Sequence, residues 1–491
     1  MKRIFIAVLL LSSFLKAQTN SLLNGEFWKK KPDITIVKAE VAKGNSPSQS
    51  NAASHDPVTM AINNGADFET VKYLIEQPGN SIDKNTHGVR TYLHWATSKG
   101  DPQLVKYLLD KGSDVNRTDE KAVTPLAFGA SAGMANPAIY EMFFKAGVNP
   151  KQKYTDGANV LLFAIGNDTD FALTEYLTKK GLSVKDTDDL GRTAFDYAAR
   201  TANKKQLSAI AKKGAKPTDN ALIFASQGSR FSANTPETFK YLVEEVKLNP
   251  NAKGLDGETV LHNLVKKQKQ DEAIAYFIAK GVDVNTKDNN GDNVLMIAAS
   301  TNNLDAVKTI LAKTKDINTT NNNGETALVA AIKSGSPEIV NYLIENGAKT
   351  NIETSNGNLA TYLVQAYKPA RGNEKNTVFE EKLEILKNNK VNLTAKNKNG
   401  ETLYHTAVIK NDLNLLKALE NLNIDINAAN NEGFTPLHKA ALVAKNEQIL
   451  KYLIEKGANK TMVTEFDETA YDLASDNELL KQNNISIEFL K

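Results

Sequence analysis

Two patterns in this 491-residue chain could carry chemistry. Gly129-Ala130-Ser131-Ala132-Gly133 fits Gly-x-Ser-x-Gly, the turn that presents a nucleophilic serine in esterases, with a histidine to take its proton. That turn needs a strand before the serine and a helix after it. Here the stretch follows Thr124-Pro125-Leu126, a helix start, so Ser131 falls at the end of a helix and a serine esterase is the remote alternative. The second pattern is histidine: His94, His262, His405 and His438 hold one position in four copies of a recurring phrase. A metal or proton-transfer centre needs convergence, and these are spread along the chain. His55 and His87 stand near repeat starts without an evident partner. Asp186-Thr187-Asp188-Asp189-Leu190-Gly191 opens like a calcium loop, but Leu190 cannot ligate and Tyr197 stands where a bidentate Glu is required. No phosphate loop, zinc-protease helix or dinucleotide glycine signature occurs, and the absence of cysteine removes thiolate sites and disulfides. The expectation is therefore no catalytic residue, no cofactor and no metal.

The elements that hold these residues recur. Gly433-Phe434-Thr435-Pro436-Leu437-His438-Lys439-Ala440 is the fullest phrase, with weaker copies opening at Gly257, Gly291, Gly324 and Gly400. Steps of 34 residues (257 to 291) and 33 (291 to 324, and 400 to 433) give a fixed period. Such a period means a solenoid, because a unit this short cannot bury both apolar faces without a neighbour. In the unit from Asn430 to Gly457, Thr435 is placed to cap a first helix and Pro436 sits where a missing N–H is harmless. Ile449, Tyr452, Leu453 and Ile454 then give a second helix its apolar face, and Gly457 can stop it in a left-handed conformation. Asn-Gly pairs at 290–291, 323–324, 356–357 and 399–400 supply tight turns between units.

On these residues, and on Thr124-Pro125-Leu126 and Thr91-Tyr92-Leu93-His94-Trp95-Ala96, the chain resembles the ankyrin repeat proteins from about Asp56 to Glu468. The resemblance implies an all-α ankyrin-repeat solenoid with short β-hairpin fingers, of about 12–14 stacked units including caps. Residues 18–54 are then N-terminal capping helices, 55–468 the array and 469–491 a C-terminal cap. An insertion is placed at 368–377, and a hairpin is lost near 214–222. The four repeated histidines would order the junction between finger and helix. Partners would be met by the finger tips and the exposed first-helix face, at Arg192, Glu258, Asn289, Asn290, Asp292, Asn322, Asn323, Glu325, Asn358, Lys398, Glu401, Glu432 and Phe434. The acids at 258, 292, 325 and 401 suggest a ladder suited to a basic groove or peptide, set against ordinary solvated charge. Phe434 is either a rigid anchor or packing for a neighbouring finger, and Trp95 reads as core.

Lys2 and Arg3 precede an apolar run from Ile4 to Leu15, and Leu15-Lys16-Ala17 offers a cleavage point, so residues 1–17 read as a signal peptide of a bacterial, exported chain. Of 60 Lys+Arg against 57 Asp+Glu, three cations leave with it, and the remaining 57 to 57 gives no bulk attraction to nucleic acid. No later stretch approaches the roughly 20 apolar residues of a membrane span. The resulting expectation is a monomeric, non-enzymatic, periplasmic scaffold that holds a protein or peptide partner along its concave face and fingers. The alternative is an extracellular effector or adhesin-like protein acting on another cell.

Overall fold

Each repeat opens with the same local instruction. A Thr, Asn or Asp in extended conformation accepts a bond from a backbone N–H one turn on and so starts a short first helix, as Asp56, Asn159, Asn293, Thr326 and Thr435 do. Second helices start behind Asp101, Asn136 and Ser336 with proline in the first turn, where its missing N–H leaves nothing unsatisfied. They stop at residues such as Gly457, whose φ of 96° an L side chain would resist.

The computed structural model describes residues 20–229, 234–369 and 376–491. The leader expected at 1–17 and the middle of the insertion expected at 368–377 lie outside them. The described helices form two compact units, with the boundary between Phe224 and Ala225. The first unit opens with α1 (Gly25–Lys29) and α2 (Ile34–Ala42). Its pairs are α3 and α4 (Pro57–Asn63, Phe68–Ile75), α5 and α6 (Tyr92–Lys99, Pro102–Asp110), and α7 and α8 (Pro125–Ser131, Pro137–Lys145). Then come α9 and α10 (Val160–Ala164, Ala172–Lys179) and α11 and α12 (Ala194–Ala198, Lys204–Lys212). α13 (Asn220–Gln227) contains the boundary.

The second unit continues with α14 (Pro236–Lys240), which runs into a π-helical turn at Tyr241–Glu245. Its pairs are α15 and α16 (Val260–Leu264, Asp271–Ala279), α17 and α18 (Val294–Ala299, Leu304–Leu311), and α19 and α20 (Ala327–Ser334, Pro337–Glu345). They continue as α21 and α22 (Leu359–Gln365, Thr377–Asn388) and α23 and α24 (Leu403–Val408, Leu413–Ala418). The last are α25 and α26 (Pro436–Val443, Gln448–Glu455) and α27 and α28 (Ala470–Asp476, Glu478–Gln482). Among the described residues this makes fourteen consecutive pairs.

Within each unit like packs on like. First helices α3, α5, α7, α9 and α11 touch in turn, as do second helices α2, α4, α6, α8 and α10. In the second unit the odd-numbered helices from α15 to α27 do the same, and α16, α18, α20 and α22 form a second layer. Leu93, Leu126, Leu261, Leu328 and Leu437 are fully buried between first helices, each worth about 1.5–3 kcal/mol of transfer energy. The all-helical repeat solenoid is thus the fold of each unit.

Short antiparallel contacts close the fingers, pairing Thr187 with Thr193, Lys253 with Thr259 and Lys287 with Asn293. One finger forms a true two-residue pair, β1 (Glu353–Thr354) with β2 (Gly357–Asn358). Between Lys212 and Asn220 there is no finger turn; the Asp196 carboxylate accepts from Thr218 N and Oγ1 at 2.9 and 2.7 Å. At the 368–377 segment Thr377 is already helical, and Asn376 caps α22 while its amide reaches Lys368 O at 2.8 Å.

Candidate functional site

The four repeated histidines are staples between neighbouring repeats. Backbone N–H groups of Thr91, Thr259, Thr402 and Thr435 donate to Nδ1 of His94, His262, His405 and His438 at 3.2, 3.1, 3.0 and 3.1 Å. A backbone N–H can only donate, so Nδ1 is the acceptor and the ring proton sits on Nε2. Nε2 then donates to the next finger, at Val123 O, Asp292 O, Phe434 O and Met462 O, over 3.1, 3.1, 2.9 and 2.9 Å. Burial lowers the pKa of all four rings, which favours this neutral form. The junction role that the resemblance implied is what the bonds show.

The finger tips are tied to one another by a second device that the sequence reading missed. Asn289 N donates to Asp256 O at 2.8 Å and its side-chain amide to Leu255 O at 3.1 Å. Asn322 repeats this onto Asn290 O and Asn289 O at 3.0 and 2.9 Å, and Asn431 onto Asn399 O and Lys398 O at 2.9 Å each. The approach is close: a Cβ on Gly291, itself at φ 80°, would stand 2.5 Å from Asn322 Oδ1. The recurring Asn two residues before the glycine was the available signal.

The predicted contact residues therefore divide. Asn289, Asn290, Asn322, Asn323, Lys398 and Glu432 are exposed at the tips, two of them with their amides spent as staples. Arg192 is buried: its guanidinium donates to Asp156 at 2.6 Å, to Tyr197 at 3.2 Å and to Asp188. The acids are half-buried and folded back rather than projecting as a ladder. Glu325 pairs with Lys333 at 3.0 Å, Glu401 pairs with Lys439, and Asp292 accepts from Asn321 at 2.8 Å. Glu258 accepts from Asp256 N at 3.1 Å within its own finger. The cause is register: the residue after the finger glycine turns back toward a first helix or a neighbouring finger, where Lys333, Lys439 or Asn321 meets it. Asn358 instead caps α21, accepting from Thr361 N at 3.0 Å. The Phe434 ring packs edge-on against His438, 6.2 Å between centroids.

The first unit carries an aromatic stripe on its first helices. Trp95, Phe128, Phe163 and Tyr197 occupy one helical position, 33, 35 and 34 residues apart, and Phe224 continues them. Trp95 and Phe128 meet at 5.8 Å, Phe163 and Tyr197 at 5.9 Å, and Tyr197 and Phe224 at 5.0 Å. Phe128, Phe163 and Tyr197 are half-buried, so the stripe is partly open, whereas Trp95 is 9% exposed, as core. Guanidinium planes flank it: Arg90 lies 4.6 Å from the Phe128 ring and Arg200 lies 4.6 Å from Phe224. In the second unit the same position holds Asn263, Ile297, Ala330, Thr406 and Lys439, and its one aromatic there, Tyr362, is 2% exposed, so no such run of open rings continues. The regular spacing of large aromatics was legible, but it reads like core until their exposure is known.

The remaining candidates resolve into structure. Ser131 ends α7, with no strand before it, and Gly129 serves packing, since a Cβ there would lie 2.4 Å from Thr97 Cγ2 of α5. His55 and His87, expected to lack partners, stack on each other across adjacent fingers at 4.7 Å. Asp188 Oδ1 accepts from Leu190 N and Arg192 N, at 3.0 and 2.8 Å, closing its own turn. Among the described residues no group of three or more His, Cys, Asp or Glu could hold a metal ion. No described helix is long and apolar enough to cross a membrane.

The family model described as ankyrin repeats (3 copies) matches residues 29–119, 222–321, 267–354 and 370–464, together more than half of the chain. Among curated proteins the chain is similar to tyrosine-protein kinase Shark of Drosophila melanogaster, 37% identical over 18% of this chain and 9% of that protein. It is 41% identical to 26S proteasome non-ATPase regulatory subunit 10 of Dictyostelium discoideum, over 13% of this chain and 28% of that one. With Notch-regulated ankyrin repeat-containing protein A of Danio rerio the identity is 36%, over 15% and 65%. The chain spans less than a tenth of the first of these relatives and under two thirds of the others.

Proposed function

The chain belongs to the ankyrin-repeat family, whose repeats mediate protein–protein interaction, and on that premise we propose that it is a non-enzymatic scaffold holding a protein or peptide partner on its finger and first-helix face. The observation that carries this reading is the half-open aromatic stripe of the first unit. Rigid aromatics give large contact area at small entropic cost, and the stapled fingers beside them are already ordered before a partner arrives. The exposed tips at Asn290, Asn323, Lys398 and Glu432 would add polar contacts at the rim of the second unit's fingers. The apolar N-terminal run supports export and a periplasmic site of action after cleavage behind Ala17.

The test uses the full chain as bait in envelope extracts, beside a Phe163→Asp, Tyr197→Asp variant whose circular dichroism matches the parent. Partners retained by the parent and lost from the variant support the reading. A set of bound proteins indifferent to both substitutions overturns it. Sequencing the N-terminus of the purified envelope protein checks the compartment: Gln18 as the first residue is the expected result.

A further inference from the structure

On the second-helix layer of the second unit, remote in register from the fingers, α18, α20 and α22 line an open trough of about 700 Å³. Its apolar surface comes from Leu304, Tyr342 and Ile385, all half-buried, with Pro337 beneath. Its acids are Glu338 and Glu345 of α20 and Glu381 and Glu384 of α22, all exposed. They recur three and seven residues apart, so each pair lies on one helix face. Lys308 is the one basic side chain among the lining residues, and it lies 5.9 Å from the Tyr342 ring, 3.8 Å from Asp305.

We propose that this trough binds a basic amphipathic helix, which lays large apolar side chains between Leu304, Tyr342 and Ile385 and its Lys or Arg residues against the four glutamates. Charge decides the occupant: with Lys308 in the lining and Lys387 3.7 Å from Glu384, the four carboxylates still leave the trough net acidic, which rejects an acidic segment and favours a cationic one. Geometry decides its form. From Pro337 to Glu345, α20 runs about 12 Å, or roughly two turns, which matches the i, i+3, i+4, i+7 anchors of a helix lying in a groove. This surface is separate from the finger and first-helix face, and either one can fail without the other.

The test is fluorescence anisotropy of the full chain with a labelled Lys/Leu peptide of about fourteen residues, its leucines at helical spacing. Saturable binding is expected, weakened about tenfold or more by Glu381→Lys with Glu384→Lys, and equally by Tyr342→Ser. Hydrogen exchange should show protection confined to α18, α20 and α22. Unchanged affinity in the charge-reversed variant, or protection elsewhere, overturns the proposal. So does equal binding of a Glu/Leu peptide, or of the same Lys/Leu composition scrambled. Self-association lost on the same charge reversal would assign the trough to a second copy and likewise overturn it.

Discussion

A histidine that accepts from its own repeat and donates to the next is vulnerable to a proton. Protonation puts an N–H at Nδ1, facing the threonine N–H that now donates to it, and places a charge in a buried site. All four staple histidines have pKa values lowered by burial, so below about 6.5 the unfolded chain binds protons that the folded one refuses. The contribution of these four rings should be flat above that pH and fall as pH drops from about 6.5 toward the lowered folded values. His405→Gln should cost about 1–2 kcal/mol at pH 7.5 and remove part of the acid sensitivity, read from urea melts at pH 7.5 and 5. An unaltered pH dependence would mean that the rings do not control it.

Lys382 is a buried amine with a structural task. It is 4% exposed and donates to Ala331 O and Ile332 O, the last carbonyls of α19, at 2.9 Å each. Elsewhere neutral amides do this work: Asn477 serves Ala441 O and Ala444 O, at 2.9 and 3.0 Å, and Gln206 serves Ile165 O at 3.2 Å. Burial holds the Lys382 amine down at about 8. Its folded pKa lies below the unfolded value near 10.4, so wild-type stability rises between pH 8 and 10 as the buried charge is lost. Lys382→Gln keeps donors and removes the charge; it should stabilise by about 1–3 kcal/mol at pH 7, a gain that shrinks toward pH 10. Denaturant midpoints across that range decide the matter.

At the scale of the helix, stability comes from one apolar face pressed on the next repeat. Leu343 is fully buried in the last turn of α20, whose backbone bonds a proline would interrupt. Leu343→Pro should cost about 3 kcal/mol or more from the backbone alone and lower the melting temperature markedly, checked by circular dichroism. The helices of this unit were legible because each carries its own instruction: a Thr or Asn cap such as Thr326, Asn293 or Thr435 starts the first, and a glycine such as Gly347 or Gly457 stops the second. What the sequence hid was side-chain direction. Arg192 and Glu401 read as surface charge, yet the turn of the finger points them back at Asp188 and Lys439. The aromatic stripe was hidden for the opposite reason, since large rings at a fixed period look like core. The Asn staples at 289, 322 and 431 had a period but no recognisable chemistry until the neighbouring carbonyls were placed beside them.

At the scale of the molecule, repetition makes parts replaceable. Gly291 and Gly324 occupy the same finger position, with φ of 80° and 74°, so excising Gly291 to Asn323 joins Asn290 to Gly324 in register. The cut removes α17 and α18 together, and each contact they made has a counterpart in the next pair. His262 would then donate to Glu325 O in place of Asp292 O, and Asn290 would precede a glycine as before. Because stability in such a chain is close to a sum of repeat and nearest-neighbour terms, the shortened protein should fold, with unchanged ellipticity per residue and a modestly lower melting temperature. It should also bind the Lys/Leu peptide more weakly, since Leu304, one apolar wall of the trough, leaves with α18, while any partner of the first unit's aromatic stripe stays bound. A shortened chain that is disordered by circular dichroism would show that these repeats are not interchangeable parts, and would refute nearest-neighbour additivity for this solenoid.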